Sequence, residues 1–324
     1  MSRYEDIVLP FSLSSTGIRG RLVKLGPSLG QALKRHSYPT VVSQMLGEFL
    51  ALGAMLSTTI KYEGTLTIQI NSDGPINLLV SNVSSAGVMR GYANFDKVSV
   101  EELLLDKNSD CLSIKKIIGE GHLAFTVDQG PDMERYQGIV ALEGDTLASC
   151  AKQYFYQSEQ IVTDVIIMAA EYGGYMRSGA MMLQKLPESQ VDTVITKQAF
   201  QTPDNSQDKV QFSEVEEDWN RATMLMSSIK YHELLNPNIS AQSLAFRLFH
   251  SEKVCGFSER QIKFGCQCSR DTVIRTLQAF TKTDIEEMFI ENEISVKCQF
   301  CGSEETFNKQ DLEDLYLDSR TYGS

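Results

Sequence analysis

Apolar residues set the first landmark between Pro39 and Ile60, where Val41, Val42, Met45, Leu46, Phe49, Leu50, Leu52, Met55 and Leu56 recur at helical spacing. The pattern predicts an amphipathic helix with a broad buried face and methionines that fill the core. An early strand is expected between Ser12 and Val23, around Gly17-Ile18-Arg19-Gly20. After Glu63-Gly64 the period changes to two: Thr65–Ile70, Ile76–Val80, Gly87–Ala93, His122–Val127 and Arg135–Leu142 read as strands divided by Gly, Asn and Asp. Asp145 is placed to cap a helix running to about Ser158, and Val162–Ala169 and Gly179–Leu186 are further strands. Residues 1–186 thus predict one α+β domain built on a large antiparallel or mixed sheet.

Beyond Pro187 the texture changes. Gln198–Lys209 is rich in Gln, Asp, Asn, Ser and Thr and carries Pro203, as a linker does. Ser213-Glu-Val-Glu216 is a capping-box pattern that opens a helix with Val215, Trp219, Ala222, Met226, Ile229 and Leu234 on its apolar side. Asn236-Pro237-Asn238 ends it, and Ser240 caps another helix through Leu244, Leu248 and Phe249. Residues 187–250 therefore form a helical linker with little core of its own. Ordering costs about 1–2 kcal/mol per residue, so such helices stay folded only against a neighbour.

The tail, 251–324, holds the chemistry. Cys266-Gln-Cys268 and Cys298-Gln-Phe-Cys301 present four thiols in two close pairs, 29 residues apart and each beside a glycine. Paired cysteines around a foldable insert have the spacing of a tetrahedral Zn²⁺ site. Such a site often only staples a small subdomain, and supplies most of its folding free energy. Permanent disulfides fit poorly, because a Cys-x-Cys bridge closes a strained ring. A strained, labile disulfide is instead of the regulatory kind, which leaves open a redox sensor. Around the cysteines, Arg270–Phe280 and Asp284–Phe289 read as helices, Ser295–Cys298 and Glu305–Phe307 as strands, and Gln310–Leu317 as a last helix. Arg260, Lys263, Arg270, Arg275 and Lys297 lie near the thiols in sequence and would favour thiolates. An ordinary mixed surface is the plainer reading of them.

Composition narrows the field. A net charge of −12 and a pI near 4.9 over 324 residues argue against a nucleic-acid partner, since phosphate binding needs clustered Lys and Arg. The longest apolar runs fall far short of a membrane span, and the first ten residues lack a signal-peptide core. A cytoplasmic protein is expected. Among seven cysteines, Cys111 and Cys150 stand alone and read as packing residues. Glu143, Asp145, Arg135 and His122 offer acid, base and anion chemistry, but no nucleophile elbow, phosphate loop or His–Cys pair accompanies them, so caps and surface ion pairs explain them. No catalytic residue is assigned, and an enzyme is not expected.

Cys266-Gln-Cys268 with Cys298-Gln-Phe-Cys301 resembles the signature of the 33 kDa chaperonin family, redox-regulated heat-shock holdases. So does Arg135-Tyr-Gln-Gly-Ile-Val-Ala-Leu-Glu-Gly-Asp145-Thr-Leu-Ala148, followed by Tyr154-Phe-Tyr-Gln-Ser158-Glu159-Gln160, and Asp73-Gly74-Pro75-Ile76-Asn77-Leu78 and Met89-Arg90-Gly91 are similar too. The resemblance implies that Cys266, Cys268, Cys298 and Cys301 hold one zinc ion in the reduced, inactive state. On oxidation Cys298 joins Cys301 and Cys266 joins Cys268, the metal departs, the linker unfolds, and a commonly dimeric form binds unfolding clients without ATP. Clients later pass to ATP-driven foldases. Cys298 and Cys301 are expected to oxidise first, their ring being longer and less strained. Cys255, eleven residues before Cys266, departs from the family pattern and sits near enough in sequence to compete for oxidation, although a buried apolar thiol is the simpler reading. The other classes considered are a zinc-ribbon nucleic-acid regulator, disfavoured by the acid-rich tail, and a thiol-disulfide oxidoreductase, disfavoured because Gly302 and a hairpin follow Cys301 where such enzymes have a helix.

Overall fold

A computed structural model of the protein describes residues 4–14, 16–105, 113–129, 136–186, 212–266 and 268–311. By contacts the chain divides into two compact units, Met1–Phe264 and Gly265–Ser324. The predicted helix Gln310–Leu317, the polar stretch 198–209, Cys111 and Arg135 lie mostly or wholly outside the described residues.

The first unit is α+β, but it holds two six-stranded sheets where one was expected. β1 (Ile7–Leu13) and β2 (Ile18–Leu25) pair in register from Ile7↔Lys24 to Leu13↔Ile18 and replace the single early strand. With β8 (Thr163–Tyr172) and β9 (Tyr175–Lys185) they form the antiparallel run β1-β2-β9-β8. The second sheet orders β3 (Thr65–Ser72), β4 (Ile76–Ser84), β5 (Val88–Phe95), β6 (Gly121–Asp128) and β7 (Tyr136–Ala141) as β5-β4-β3-β6-β7. The expected strands at these places are all present.

Short α1 (Pro27–Leu33) precedes α2 (Thr40–Leu56), which lies between the sheets and meets β2, β8 and β9 on one side and β3, β4 and β5 on the other. That position corrects the amphipathic reading. From Val42 to Met55 most side chains of α2 are buried and only Ser43, Gln44 and Glu48 keep partial access to solvent, because a helix with a sheet on each flank has little wet face left. α3 (Lys97–Leu105) and α4 (Ile114–Ile117) connect the strands. α5 (Leu147–Tyr154) is capped by Thr146, whose hydroxyl accepts from Ser149 N–H, rather than by Asp145, and it passes into a π-helical turn at Phe155–Glu159.

The outer face of the first sheet is covered as well. Ile7, Leu9, Phe11, Leu13, Ile18, Leu22, Met181 and Leu183 point away from α2 and pack against α6 (Phe212–Ser227), α7 (Tyr231–Leu234) and α8 (Ala241–Phe249) through Ala222, Met226, Ile229, Leu234, Leu244 and Phe249. Phe11 stacks on Phe249 at 5.6 Å between ring centres. Ser240 caps α8 as expected, accepting from Ser243 N–H. Lys24, buried on β2, reaches into the turn between α7 and α8, where Nζ donates to Asn236 O and Ile239 O at 2.7 Å each. Burial lowers its pKa to about 8, with Glu5 pulling it up and Arg177 down.

A strap that sequence reading did not foresee completes the unit. β10 (Val254–Gly256) and β11 (Arg260–Gln261) pair antiparallel with β1, and β12 (Lys263–Phe264) pairs parallel with β5 of the other sheet. This short segment thus closes one edge of each sheet. Cys255 lies in the strap and is exposed, which overturns the buried reading; its Sγ is 3.1 Å from Ser14 Oγ.

Candidate metal centre

The second unit is small. α9 (Arg270–Leu277) starts from Ser269, which accepts from Thr272 N–H, and α10 (Lys282–Glu287) from a reciprocal box between Thr281 and Asp284. A hairpin of β13 (Glu293–Lys297) and β14 (Glu304–Asn308) comes next, in register from Glu293↔Asn308 to Lys297↔Glu304. Among the described residues only Leu277, Ile285, Ile294 and Phe307 form its buried apolar core besides the sulfur cluster. Arg270 ties α9 to the hairpin, its guanidinium 4.3 Å from the Phe307 ring centre and bonded to Thr306 O at 2.9 Å. So thin a core is a reason for a metal staple.

The hairpin turn carries one cysteine pair. Cys298 N–H donates to Ser303 O and Gly302 N–H to Cys298 O, each at 2.8 Å. Gly302 has φ of +67°, the left-handed region that a residue without a side chain enters freely. This tight loop turns Cys298 and Cys301 toward the same point, with the N–H groups of Phe300 and Cys301 aimed at the Cys298 sulfur. The other pair arrives on the segment ahead of α9.

All four sulfurs lie within 4.8 Å of one another. Cys266 Sγ is 3.7 Å from Cys298 Sγ, and Cys268 Sγ is 3.1 Å from Cys301 Sγ. A tetrahedron of thiolates at about 2.3 Å from a central ion has edges of about 3.8 Å, so the set fits a metal ion. Among the described residues it is the one cluster of this kind. The sequence-predicted ligands are therefore brought together without exception.

Protonation within the cluster is uneven. Burial pushes the Cys301 thiol up, but Ser303, through its hydroxyl and its N–H, and the neighbouring thiols outweigh this and bring it to about 6. At Cys268 the Ser303 hydroxyl stabilises the anion, yet Cys301, burial and Cys266 together push the thiol to about 12. Burial likewise raises Cys298. One thiolate forms readily and further charge beside it is resisted, which is the electrostatic problem that a divalent cation solves.

With this geometry in place, the likeness to known proteins is decisive. The family model described as Hsp33 protein matches residues 6–308. The chain belongs to the Hsp33 family. It is 32% identical over 303 residues to the 33 kDa chaperonin of Caulobacter vibrioides, covering 92% of this chain and 93% of that one. The 33 kDa chaperonin of Escherichia coli is 32% identical over 299 residues, 92% of this chain and 90% of its own length. In fold, the crystal structure of the 33 kDa chaperonin (heat shock protein 33 homolog) of Thermotoga maritima superposes with a TM-score of 0.75 at 20% identity, covering 98% of this chain and all of that one. Membership in Hsp33 supports a chaperone function and the binding of unfolded client proteins. No helix among the described residues is long and apolar enough to cross a membrane.

The structure also sorts the remaining candidates. Arg260, expected near the thiols, spends its guanidinium on Ser57 O, Ser84 O and Ser85 O of the first unit at 2.8 Å each. Lys263 lies in β12 of the same unit. Ser303 is the functional neighbour that sequence reading missed, its hydroxyl 3.2 Å from Cys268 Sγ and 3.1 Å from Cys301 Sγ. A hydroxyl one residue past a Cys-Gly turn was the available signal. Cys150 is buried, as its packing role requires, and burial raises its pKa to about 11.

Proposed function

We propose that this Hsp33 chain is a redox-regulated holdase that works without ATP. In the reduced state Cys266, Cys268, Cys298 and Cys301 hold one Zn²⁺, for which four thiolates are a favoured donor set. Zinc has no redox chemistry of its own; bound there it supplies cross-links and most of the folding free energy of its small unit. The redox step belongs to the cysteines. The Cys298 and Cys301 thiolates, whose protons left when the metal bound, give up two electrons and form one S–S bond, while an oxidant such as hypochlorous acid takes those electrons and one proton from solvent to become chloride and water. Cys266 and Cys268 then do the same, and each bond removes two ligands from the site.

Oxidation in this way costs the second unit its anchorage. The four buried apolar side chains among its described residues are too few to hold the unit folded without its staple. Cys266 stands two residues after Phe264, the end of the strap, so disorder begins at the point where the strap leaves the sheets. Linker and strap then detach, and the apolar outer face of the first sheet becomes the client surface. In this scheme residues 1–186 are the core, 187–250 the metastable linker and 251–324 the switch, with the refinement that 254–264 act as the strap. The oxidised form is a homodimer, hands clients to ATP-driven foldases once reducing power returns, works in the cytoplasm and catalyses no reaction.

The observation that carries this reading is the four-sulfur cluster in a unit with almost no core. Zinc release and suppression of client aggregation, measured on one sample before and after oxidation, are expected to rise together. A fully reduced protein that is metal-free and already as protective as the oxidised one would end the proposal.

A further inference from the structure

The strap occupies a place that another chain can use. Among the described residues β1 has, apart from β10 and β11, a partner on one side only, so without the strap it is the open edge of its sheet. An open edge presents a row of unpaired N–H and C=O groups and accepts further strands readily. The strap answers that row at Ile7↔Gln261, Val8↔Arg260, Phe11↔Gly256, Ser12↔Cys255 and Leu13↔Val254, with Phe257 N–H on Pro10 O at 2.9 Å and Ile262 N–H on Asp6 O at 2.7 Å.

Along β1 the strap is held mainly by its backbone; its side-chain anchors include the Arg260 guanidinium, bonded to Ser57 O, Ser84 O and Ser85 O away from β1, and the partly buried Val254. Cys255, Gly256, Phe257, Ser258, Gln261 and Lys263 are exposed, and Ile262 is its one buried apolar side chain. Against β1 itself the seat reads main chain, since Arg260 reaches carbonyls beyond β1 and Ile262 lies past the paired residues, so it imposes little sequence, which suits an unfolded polypeptide of varied composition. It also borders the face formed by Ile7, Leu9, Phe11 and Leu13, so a strand added to β1 continues the same apolar surface. Pro10 limits the grip. It has no N–H to offer, the strap leaves the ladder there, and an incoming strand meets the same break.

We infer that the edge of β1 is a strand-addition site for client polypeptide, self-occupied by residues 254–261 in the resting protein and bared on activation. The inference rests on the holdase reading and specifies how that surface grips its clients: by hydrogen bonds between main chains, in short and exchangeable tracts.

A lock on the strap tests it. Ser14 Oγ lies 3.1 Å from Cys255 Sγ, so in Ser14→Cys the oxidant that activates the protein also fixes the strap to β1, a bond verified by non-reducing mass spectrometry. The full-length variant is expected to release zinc and lose linker helix on oxidation as the unaltered protein does. It should nonetheless bind reduced, carboxymethylated α-lactalbumin at least about tenfold more weakly, the equivalent of one or two net hydrogen bonds. The double variant Ser14→Cys, Cys255→Ser cannot form the bond and should bind as the unaltered protein does. Equal binding by the locked protein overturns the inference, as does client-independent protection of the strap-facing Val8 and Ser12 amides against hydrogen exchange in the oxidised form, which would mean that the strap or a second copy keeps the edge. If the unaltered oxidised protein binds no client at all, the holdase reading itself fails.

Discussion

The two units of this molecule stand on different physical footings. In the first, α2 is buried between two sheets, and its core runs through nearly every element from β1 to β9. In the second, Leu277, Ile285, Ile294 and Phe307 carry the apolar burden beside four thiols. One unit thus has the packing to stand alone while the other, on the proposed function, is stable only with its metal. On the proposed function, an oxidisable metal site placed in the unit with the thin core would let a two-electron event act as a folding switch.

The contrast breaks most sharply at the cysteines. Cys301→Ser removes a ligand and the most acidic thiol of the cluster, and should unfold the second unit with the loss of a stabilisation that reaches about 10–16 kcal/mol in zinc-finger peptides. The expected signature is a collapse of amide dispersion confined to residues 265–311 in a heteronuclear NMR spectrum, with the resonances of α2 and the two sheets in place. A variant whose second unit stays folded and metal-free would show that its small core suffices, and the comparison would lose its basis.

Within the first unit, the helices α6 to α8 that cover the outer face of the first sheet are, on the proposed function, conditional in a milder way. Leu234, fully buried, rests on Gly179 of β9, where an added Cβ would come within 2.7 Å of Leu234 Cγ. Leu234→Ala opens a cavity under α7 and should cost about 2–5 kcal/mol of linker docking. Gly179→Ala drives a wedge into the same contact. Both proteins, reduced and metal-loaded, are expected to suppress client aggregation without oxidant, in proportion to the helix they lose by circular dichroism. Leaky activity with full helix content would place the client surface elsewhere than under the linker.

The same division governs how much of the molecule was legible in the sequence. That the four cysteines come together was legible because two close pairs around a foldable insert are a spacing that little besides metal ligation produces. The strands were legible from period two, and α2 from its 3.6 spacing. That α2 is covered on both flanks was not, since a pattern of apolar positions tells which residues are buried but not by how many layers. The same ambiguity hid the second sheet. Val254–Phe264 stayed unread for another reason: a strap held mainly through its backbone, with mostly exposed side chains, leaves no hydrophobic rhythm to detect. The thiol of Cys255 was assigned by composition, and composition does not register an edge.

The smallest effect sharpens the account of the self-sufficient unit. Glu48 on α2 is only partly accessible, and burial raises its carboxyl to about 7 against the pull of the Ala169 N–H it accepts from. A carboxyl whose folded pKa lies above its unfolded value of 4.5 favours the folded state while protonated. Its contribution is complete below about pH 4.5 and is lost as pH rises through about 7, so the wild-type unit should weaken between pH 5 and 8 on this account. Glu48→Gln keeps the acceptor for Ala169 N–H and carries no charge at any pH. It should match the wild type near pH 4.5 and exceed it at pH 8 by roughly 1–2 kcal/mol, the full shift being discounted for partial exposure. Thermal melts of the reduced, zinc-loaded proteins across this range decide the matter: converging curves at low pH and diverging ones at high pH are expected, whereas parallel curves would mean that Glu48 is already ionised without cost and that the layer between α2 and β8 is wetter than its packing indicates.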